Sequence, residues 1–315
     1  MGTAELACES LRRLCDGKGS EVVAVVTQPD RPKGRELKLQ PSSVKRVALE
    51  RGLPVLQPLK ARSADFLVEF GEYKPELVVV VAYGQILPKA ILELPCYGSL
   101  NVHTSLLPNY RGAAPIQWAI INGDQETGVT IMRMDEGLDT GPMVASVKTP
   151  ISILDNSQTL HDRLACLGAE LLIETIPGYV AGTRKPFPQP SEGVSYARKI
   201  TKEDGEMDWG LTAAQLFNRV RGLTPWPGAF TYLSGEPMKM LKLGGVGIAE
   251  GWRGAAGRIL KVSSERIVVG CGEGALAIHE VQKEGGRWMA VAEFMRGHSL
   301  AEGDRLGRSG SGTTV

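Results

Sequence analysis

Three polar side chains of complementary chemistry lie in the central part of the sequence. Asn101 and His103 occupy alternate positions of a strand pattern in Leu100–Ile120, LNVHTSLLPNYRGAAPIQWAI, so they share one face. Asp139 lies in the turn-rich segment MDEGLDTGP. These groups suit acyl transfer to an amine, because the amine must lose a proton and the tetrahedral intermediate carries an oxyanion. We expect Asn101 to donate to the oxyanion, His103 to polarise it or move protons, and Asp139 to fix the tautomer of the imidazole.

Other chemistries fit these residues less well. Ser105 lies outside any GxSxG motif and Cys96 has no histidine at a motif spacing, so both are interpreted as structural. One histidine and one carboxylate lack the HExxH or two-histidine spacing of a metal site, so no metal is expected. Asp135 and Glu136 are interpreted as ordinary turn acids. From the strand stretch alone, a purely structural role for the amide and the imidazole is an equal alternative.

Composition limits the class of protein. The chain has 315 residues, a formal net charge of +1, 43% hydrophobic residues and 23% charged residues, which is typical of a soluble globular protein with room for two domains. Attraction to a polyanion must therefore come from local clusters of charge. The cysteines are scattered without CxxC spacing, which indicates reduced thiols, and no apolar run reaches about 18 residues. We expect a cytoplasmic protein without a membrane partner.

Strand-like and helical patterns alternate along residues 1–183. This alternation predicts βαβ units on a parallel-rich sheet. Because ligands bind at the carboxyl ends of the strands in such sheets, Asn101, His103 and Asp139 are expected at one edge. The strand-like runs are EVVAVVT (Glu21–Thr27), LVVVVAY (Leu77–Tyr83), SLNVHTS (Ser99–Ser105) and GVTIMRM (Gly128–Met134).

The second half of the chain differs in character. A helix pattern over Thr159–Tyr179 is followed by the proline-rich, polar segment RKPFPQPSEG, which begins at Arg184. After a further helical segment, Ala213–Arg221, short strand patterns broken by glycines predict a small β-barrel. We therefore predict an α/β catalytic domain over residues 1–183, a linker over 184–208 and a barrel domain over 209–315.

Specific motifs relate the sequence to a known family. The chain resembles the folate-dependent formyltransferases, and within them the enzymes that act on methionyl-tRNA, in NVHTSLLPNYRGAAPIQWAI and GVTIMRMDEGLDTGP. The family signature H-x-S-L-L-P-x-x-x-G runs here from His103 to Gly112. The resemblance covers nearly the whole chain through VVTQPDRPKGRELKLQPSSVK, VVVVAYGQILP, YARKITKEDGEMDW and RGLTPWPGA.

The resemblance implies a fold, a reaction and a donor site. The fold is a Rossmann-like catalytic domain joined to an OB-like barrel that helps to hold tRNA. The reaction moves a formyl group from 10-formyltetrahydrofolate to the α-amino group of methionyl-tRNA, the charged initiator tRNA, with Asn101, His103 and Asp139 as catalytic residues. The candidate folate-binding residues are Ala82, Tyr83, Gly84, Gln85, Ile86, Leu87, Ser105, Leu106, Leu107 and Pro108.

A basic segment, Pro29–Arg46, is a candidate RNA contact. It carries six Lys or Arg residues against two acidic residues, with Pro and Gly that disfavour regular structure. In isolation such a run is a solvated loop, but with the family resemblance it becomes a loop that reaches the phosphates of an acceptor stem. Glu36 and Leu37 stand where the family often has Gly and Lys, which reduces the basicity. The candidate tRNA-binding residues are Arg31, Lys33, Arg35 and Lys38.

Two other functions stay open on the sequence alone. Formyl transfer to a small amine, such as a nucleotide or an amino sugar, would use the same three polar residues but would need neither the basic segment nor the barrel. A tRNA-binding protein with an inactive formyltransferase domain is disfavoured, because all three polar residues are retained. We expect a monomer.

The beginning of the chain departs from the family pattern. It opens MGTAELACESLRRLC, in which Gly2 and Thr3 resemble the turn after an apolar first strand. We expect that this strand is missing, that Met1 is an internal methionine of a longer natural chain, and that the 315-residue form is less stable as a result. Gly2 is then expected where a strand would end, with a gap in the sheet beside EVVAVVT.

Overall fold

The computed structural model describes residues 1–33, 38–233 and 239–308, which form two compact units. The boundary between the units after Arg198 falls within the segment 184–208, which is predicted from its composition to be a linker. The domain limits drawn from the sequence stay a prediction. Unit 1 contains Met1–Pro115, Glu126–Ile151 and Thr159–Arg198, and unit 2 contains Ile116–Gln125, Ser152–Gln158 and Lys199–Val315.

Short strands alternate with helices in the first part of the chain, and strands dominate the last part. The helices are α1 (Leu6–Asp16), α2 (Ser43–Glu50), α3 (Ala64–Glu72), α4 (Lys89–Leu92), α5 (Pro115–Asn122), α6 (Ser157–Val180), α7 (Ala213–Gly222) and α8 (Val291–Met295), with a 3-10 turn at Glu203–Gly205. The strands are β1 (Val25–Val26), β2 (Arg31–Lys33), β3 (Lys38–Gln40), β4 (Val55–Leu56), β5 (Val78–Val80), β6 (Ser99–His103), β7 (Arg111–Gly112), β8 (Glu126–Arg133), β9 (Met143–Pro150), β10 (Tyr196–Ala197), β11 (Phe230–Leu233), β12 (Lys239–Ile248), β13 (Ile259–Val262), β14 (Ile267–Gly270), β15 (Ala275–Lys283) and β16 (Trp288–Ala290).

The strand pairing of unit 1 confirms the α/β, Rossmann-like fold and corrects one part of the prediction. β5 pairs in parallel with β6, and β1 pairs in parallel with β4, as βαβ units require. β8, however, is antiparallel to β6, with Thr130 opposite His103, and β9 is antiparallel to β8. The carboxyl end of β8 therefore lies beside the start of β6. The argument that Asp139 and His103 share an edge because their strands are parallel is wrong.

The core of unit 1 explains why β6 can carry polar groups. All five residues of β6 are buried. On the neighbouring β5, Val78 and Val80 pack in one apolar cluster with Phe66 and Phe70 of α3. Since buried polar groups need hydrogen-bond partners, the amide and the imidazole on β6 must each find one within the fold.

Met1 and Gly2 lie between β1 and β5. The Gly2 N–H donates to the Val26 carbonyl at 2.9 Å, and the Val81 N–H donates to the Met1 carbonyl at 2.9 Å. Gly2 also forms an isolated parallel bridge with Val81, directly after β5, and among the described strands none pairs with both β1 and β5. The missing first strand stays a prediction. A cavity of about 350 Å³ adjoins Met1, and apolar side chains of α1 and α6 and the segments Val22–Val26 and Leu77–Val79 line it.

Unit 2 is built on an antiparallel sheet, which confirms the small β-domain as a curled half-barrel. Its strands run in the order β11-β12-β15-β14-β13. β16 pairs with β15 at Glu280–Gln282, beyond the residues of β15 that pair with β14. α7 begins with a capping box, in which Thr212 and Gln215 exchange side-chain to backbone hydrogen bonds. Leu216 and Val220 of this helix share the core of the unit with strand residues such as Ile278.

Two further observations bear on the predictions from composition. The five cysteines are free thiols. Within residues 1–33, 38–233 and 239–308, no helix is both long enough and apolar enough to cross a membrane.

The α-amino group of Met1 generates a prediction about stability and pH. It donates to the Val79 carbonyl at 2.6 Å, and burial lowers its pKa from 8.0 to about 5. Between these two values only the unfolded chain binds this proton, so the amine opposes folding as pH falls. We expect this group to make the free energy of unfolding rise from pH 5 to pH 8, measured by urea unfolding.

An extension of about four apolar residues before Met1 should abolish this rise and increase the melting temperature, because it moves the charge and brings main-chain and apolar groups to the cavity. A Gly-Ser extension of equal length is the matched control, since it moves the charge without adding apolar side chains. Equal melting temperatures for the two extended chains would show that the cavity does not accept an apolar segment.

Candidate active site

Asn101 and His103 lie side by side on one face of β6. Asn101 is paired with Val80 of β5 and with Met132 of β8, so two strands hold its backbone. The two residues are 9% and 5% exposed, respectively, which keeps bulk water from competing for their hydrogen bonds. The alternation of β6 therefore presents an amide and an imidazole at the same surface, as predicted.

Asp139 meets this surface from the connection between β8 and β9. Its Oδ1 accepts a hydrogen bond from Asn101 Nδ2 at 3.3 Å, and its Oδ2 accepts one from the Gly112 backbone N–H at 2.8 Å. A carboxylate only accepts, so the Asn101 amide must direct its nitrogen toward Asp139. One N–H of that amide remains for a further acceptor. The three predicted side chains are thus in one cluster, although the topology differs from the expectation.

The tautomer of His103 is set by a backbone carbonyl. Nε2 lies 2.9 Å from the Tyr110 carbonyl oxygen, and a carbonyl only accepts, so Nε2 carries the hydrogen. Nδ1 lies 3.7 Å from Asp139 Oδ2, which is longer than a hydrogen bond. The expectation that Asp139 fixes the tautomer is therefore corrected: Tyr110 fixes it. In the neutral ring Nδ1 keeps its lone pair, and a proton taken up there faces the carboxylate.

Gly112, the last residue of the signature, is required by its surroundings. Its φ is +115°, and it pairs in parallel with Ala197 of β10. A Cβ added at this position would lie 2.8 Å from the Ala197 carbonyl oxygen. A side chain would thus displace the backbone whose N–H binds Asp139. The glycine keeps a backbone donor close to the carboxylate.

A segment beyond α6 packs against the site. We call residues 187–197 the return segment. Phe187 pairs with Met143 through two backbone hydrogen bonds of 2.8 Å, and Ser195 Oγ accepts from the Tyr110 N–H at 2.9 Å. The return segment therefore supports the loop that carries the Tyr110 carbonyl. Its proline-rich composition indicated a linker, and no local signal pointed to these contacts.

The candidate donor loop, Ala82–Leu87, follows β5. Because β5 and β6 are parallel and adjacent, their carboxyl ends lie at the same edge. The Tyr83 carbonyl accepts from Gln28 Nε2 at 2.9 Å and from Thr3 Oγ1 at 2.8 Å, which holds the loop against the segments that contain these two residues. Tyr83 itself is buried, and burial raises the pKa of its phenol to about 12. Exposure alternates along the loop, with the exposed positions at Ala82, Gly84 and Ile86.

The second group of candidate donor residues, Ser105–Pro108, is largely buried. Ser105 is fully buried and its hydroxyl donates to the Asn109 carbonyl at 2.6 Å. The Leu107 N–H donates to Thr130 Oγ1 at 3.1 Å, and only Leu106 of the four is half-buried. The positions that face outward from the donor candidates are therefore mainly in the loop after β5.

Asp135, an acid in the same segment as Asp139, binds groups of its own turn. Asp135 Oδ1 accepts from the Gly137 N–H at 3.0 Å and from Thr140 Oγ1 at 2.7 Å, as expected of a turn acid. Among the residues that the structure describes, no group of three or more His, Cys, Asp and Glu side chains is suited to a metal ion.

Within the basic segment the strands β2 and β3 pair in antiparallel, and we call these two strands the hairpin. Arg31 is exposed and its guanidinium donates to Gln28 Oε1, which connects it to the residue that holds the donor loop. Lys45 forms an ion pair of 2.8 Å with Asp30 at the base of the hairpin, and its hydrogen bond lowers the pKa of that carboxyl. Arg35 lies outside the described residues, as do the side chains of Lys33 and Lys38.

Comparison with known proteins relates this geometry to a family. Residues 1–176 match the formyl transferase family, and residues 199–299 match the formyl transferase C-terminal domain. The chain is 50% identical to the methionyl-tRNA formyltransferase of Geobacter sulfurreducens over 311 residues, which are 99% of this chain and 96% of that protein. It is also 50% identical to the methionyl-tRNA formyltransferase of Myxococcus xanthus, over 97% of this chain and 96% of that protein.

A solved structure supports the fold. The sugar 3N-formyl transferase WlaRD, determined in the presence of dTDP and 5-N-formyl-THF, matches with a TM-score of 0.65. The match covers 90% of this chain and 95% of that chain at 19% identity. The architecture of the two units therefore has a counterpart in a protein of low sequence similarity.

Gly112→Ala should lower both turnover and stability, because a Cβ would meet the Ala197 carbonyl and because φ of +115° is strained for alanine. We expect a loss of about 1–3 kcal/mol in the free energy of unfolding, measured with urea. Gly19→Ala is the matched control, since Gly19 has φ of +99° with no neighbour within 4 Å. Equal losses in the two variants would mean that the contact with Ala197 contributes nothing.

Proposed function

The chain belongs to the formyl transferase family, and we infer that it transfers a formyl group from 10-formyltetrahydrofolate to the α-amino group of methionyl-tRNA, with Asn101, His103 and Asp139 as the catalytic residues. The reaction follows from the family models and from near-complete matches to methionyl-tRNA formyltransferases at 50% identity. The assignment of the three residues rests on one observation. The amide of Asn101, the carboxylate of Asp139 and the imidazole of His103, with its tautomer fixed, meet near the carboxyl end of β6, beside the donor loop.

The proposed chemistry uses each group once. The amine nitrogen attacks the formyl carbon, a C–N bond forms, and the carbonyl electron pair moves to oxygen. The free N–H of Asn101 stabilises this oxyanion. The proton that leaves the amine passes to the pair of His103 and Asp139. The oxyanion then re-forms the carbonyl, the C–N10 bond breaks, and N10 of the folate takes the proton. The products are formylmethionyl-tRNA and tetrahydrofolate, so atoms and charge balance.

Asp139 has a defined part in this scheme. Hydrogen bonds from Asn101 and from the Gly112 N–H hold its carboxylate beside the imidazole. An imidazolium at 3.7 Å from Oδ2 is stabilised by this charge within a site that excludes most water. No covalent intermediate with the enzyme is needed.

We propose that the donor lies against the loop Ala82–Leu87 and against Leu106. The exposed positions of that loop are small or apolar, which suits the flat ring system of a folate. The hydrogen bonds from Gln28 and Thr3 to the Tyr83 carbonyl hold the loop in place before the donor arrives.

The acceptor is a polyanion, and the net charge of +1 leaves its attraction to local clusters. We propose that the basic segment contacts phosphates of the acceptor stem through Arg31, Lys33, Arg35 and Lys38. Arg31 supports this proposal, because it is exposed at the start of the hairpin. We also propose that the enzyme acts as a monomer in the cytoplasm, where charged initiator tRNA is used; sedimentation of the purified chain tests the first part.

Asn101→Ala, His103→Ala and Asp139→Ala should each lower turnover, the first by about 100- to 1,000-fold. The losses at His103 and Asp139 should be non-additive, because the two act as one proton-accepting pair. Turnover is measured with labelled 10-formyltetrahydrofolate on charged initiator tRNA, and filter binding of the tRNA should change little. Glu136→Ala is the control, an exposed acid in the same connection as Asp139. Near-normal turnover in any of the three would remove that residue from the mechanism.

Arg31→Ala combined with Arg35→Ala should weaken the use of charged tRNA and reduce its salt dependence. Each lost phosphate contact lowers the slope of log affinity against log salt by about one unit at most. Donor binding should survive, because the donor is not held by these side chains. Lys18→Ala is the control, since it removes one exposed positive charge outside the hairpin. An unchanged slope and rate would make the hairpin a bystander.

A further inference from the structure

Gln189 of the return segment uses the full hydrogen-bonding capacity of its amide beside the catalytic carboxylate. Its Nε2 donates to the Asp139 carbonyl and to the Gly141 carbonyl, both at 2.8 Å. Its Oε1 accepts from Arg111 Nε at 3.2 Å and from Arg111 Nη2 at 2.6 Å. The residue is half-buried, so its hydrogen bonds are partly protected from water.

The direction of this amide follows from its partners. Two carbonyl oxygens can only accept, and a guanidinium can only donate, so the nitrogen must face Asp139 and Gly141. A glutamate of the same size would place an acceptor against two carbonyl oxygens. The position is therefore specific for an amide, in the same way that a site built for an N–H donor rejects a group that lacks one.

The hydrogen bonds from Gln189 act on a strained backbone. Asp139 has φ of +52°, in the left-handed region that residues other than glycine rarely adopt. Such a conformation persists only when the surroundings determine it. Gln189 binds the carbonyl of Asp139 itself and the carbonyl two residues later, so it holds the turn on both sides of Thr140.

We propose that Gln189 is a positioning residue for formyl transfer: it holds the Asp139 backbone in the conformation that directs the carboxylate at Asn101 and at the Gly112 N–H. This inference rests on the proposed function, because it gives Gln189 a role only through Asp139. Arg111 extends the same arrangement, since it fixes the Gln189 amide and lies next to Gly112 in β7.

A purely structural role for Gln189 predicts that its loss destabilises the connection between β8 and β9, whereas a positioning role predicts a slower reaction in a stable protein. The connection that contains Asp139 is also held by Asp135, which binds Gly137 and Thr140, and by the hydrogen bond of 2.9 Å from the Arg133 N–H to the Pro142 carbonyl. Loss of Gln189 therefore leaves the connection folded and frees only the direction of Asp139. The effect should appear in the rate of the chemical step rather than in stability.

Gln189→Glu tests the inference, with Gln189→Met as a second variant that removes the hydrogen bonds without adding charge. Displacement of a catalytic group by about 1 Å can lower a rate by about 100-fold. We expect kcat to fall by about this factor, while KM for the donor and for methionyl-tRNA changes by less than about 3-fold. Gln282→Glu is the matched control, because its Nε2 donates to a single carbonyl, that of Gly286, in unit 2.

The decisive measurement places the Gln189 substitution in the Asp139→Ala background. If Gln189 acts through Asp139, the double variant should be no slower than Asp139→Ala alone, in single-turnover assays that resolve the residual rate. An equal further loss in both backgrounds would mean a general effect on the fold and would overturn the inference. Wild-type kcat in a stably folded Gln189→Glu or Gln189→Met protein would overturn it as well.

The two proposals can fail separately. Near-normal turnover of Asp139→Ala removes the catalytic assignment, and with it the basis for any role of Gln189. Slow turnover of Asp139→Ala together with unchanged kcat in either Gln189 variant leaves the catalytic assignment in place and removes only the positioning role. Thermal unfolding of each variant verifies that the rates compare folded proteins.

Discussion

The site depends on one carboxylate whose two oxygens have fixed partners. Asp139 Oδ1 binds the Asn101 amide and Oδ2 binds the Gly112 N–H, with His103 Nδ1 at 3.7 Å from the same oxygen. A partly buried charge is tolerated only when hydrogen bonds replace its lost hydration. The constraint extends outward from Asp139: Gly112 must be a glycine because Ala197 lies against it, and the turn at Asp139 must be held in a left-handed conformation.

The antiparallel direction of β8 determines how this carboxylate reaches the site. β8 ends beside the start of β6, and its connection to β9 must return toward Asn101 before the next strand begins. A strand that ran parallel to β6 would have placed its following loop at the carboxyl end of β6, next to His103. The return segment contacts this connection through Gln189, and through Phe187 and Ser195 it links the backbone at Met143 to the loop of Tyr110.

The parallel pair of β5 and β6 separates two tasks within unit 1. In the proposed reaction β6 carries the polar groups that act on the acyl carbon, and the small or apolar positions of the loop after β5 contact the donor. Gln28 connects the loop with the basic hairpin, because its amide binds the Tyr83 carbonyl and accepts from Arg31. The proposed sites for the donor and for the polyanion thus share Gln28, whereas Asn101, His103 and Asp139 are held by a different set of contacts.

Local sequence was sufficient for the α/β class, the strand that carries Asn101 and His103, and the family. These predictions depend on apolar periodicity and on motif residues close together in the chain, and both can be recognised in the sequence without knowledge of the fold. The direction of β8, the Tyr110 carbonyl as the partner of His103, and the contacts of Gln189 and Ser195 came from the folded molecule alone. Periodicity specifies which face of a strand is buried but not which way its neighbour runs, and hydrogen bonds such as Tyr110 to Ser195, 85 residues apart, leave no pattern in either segment.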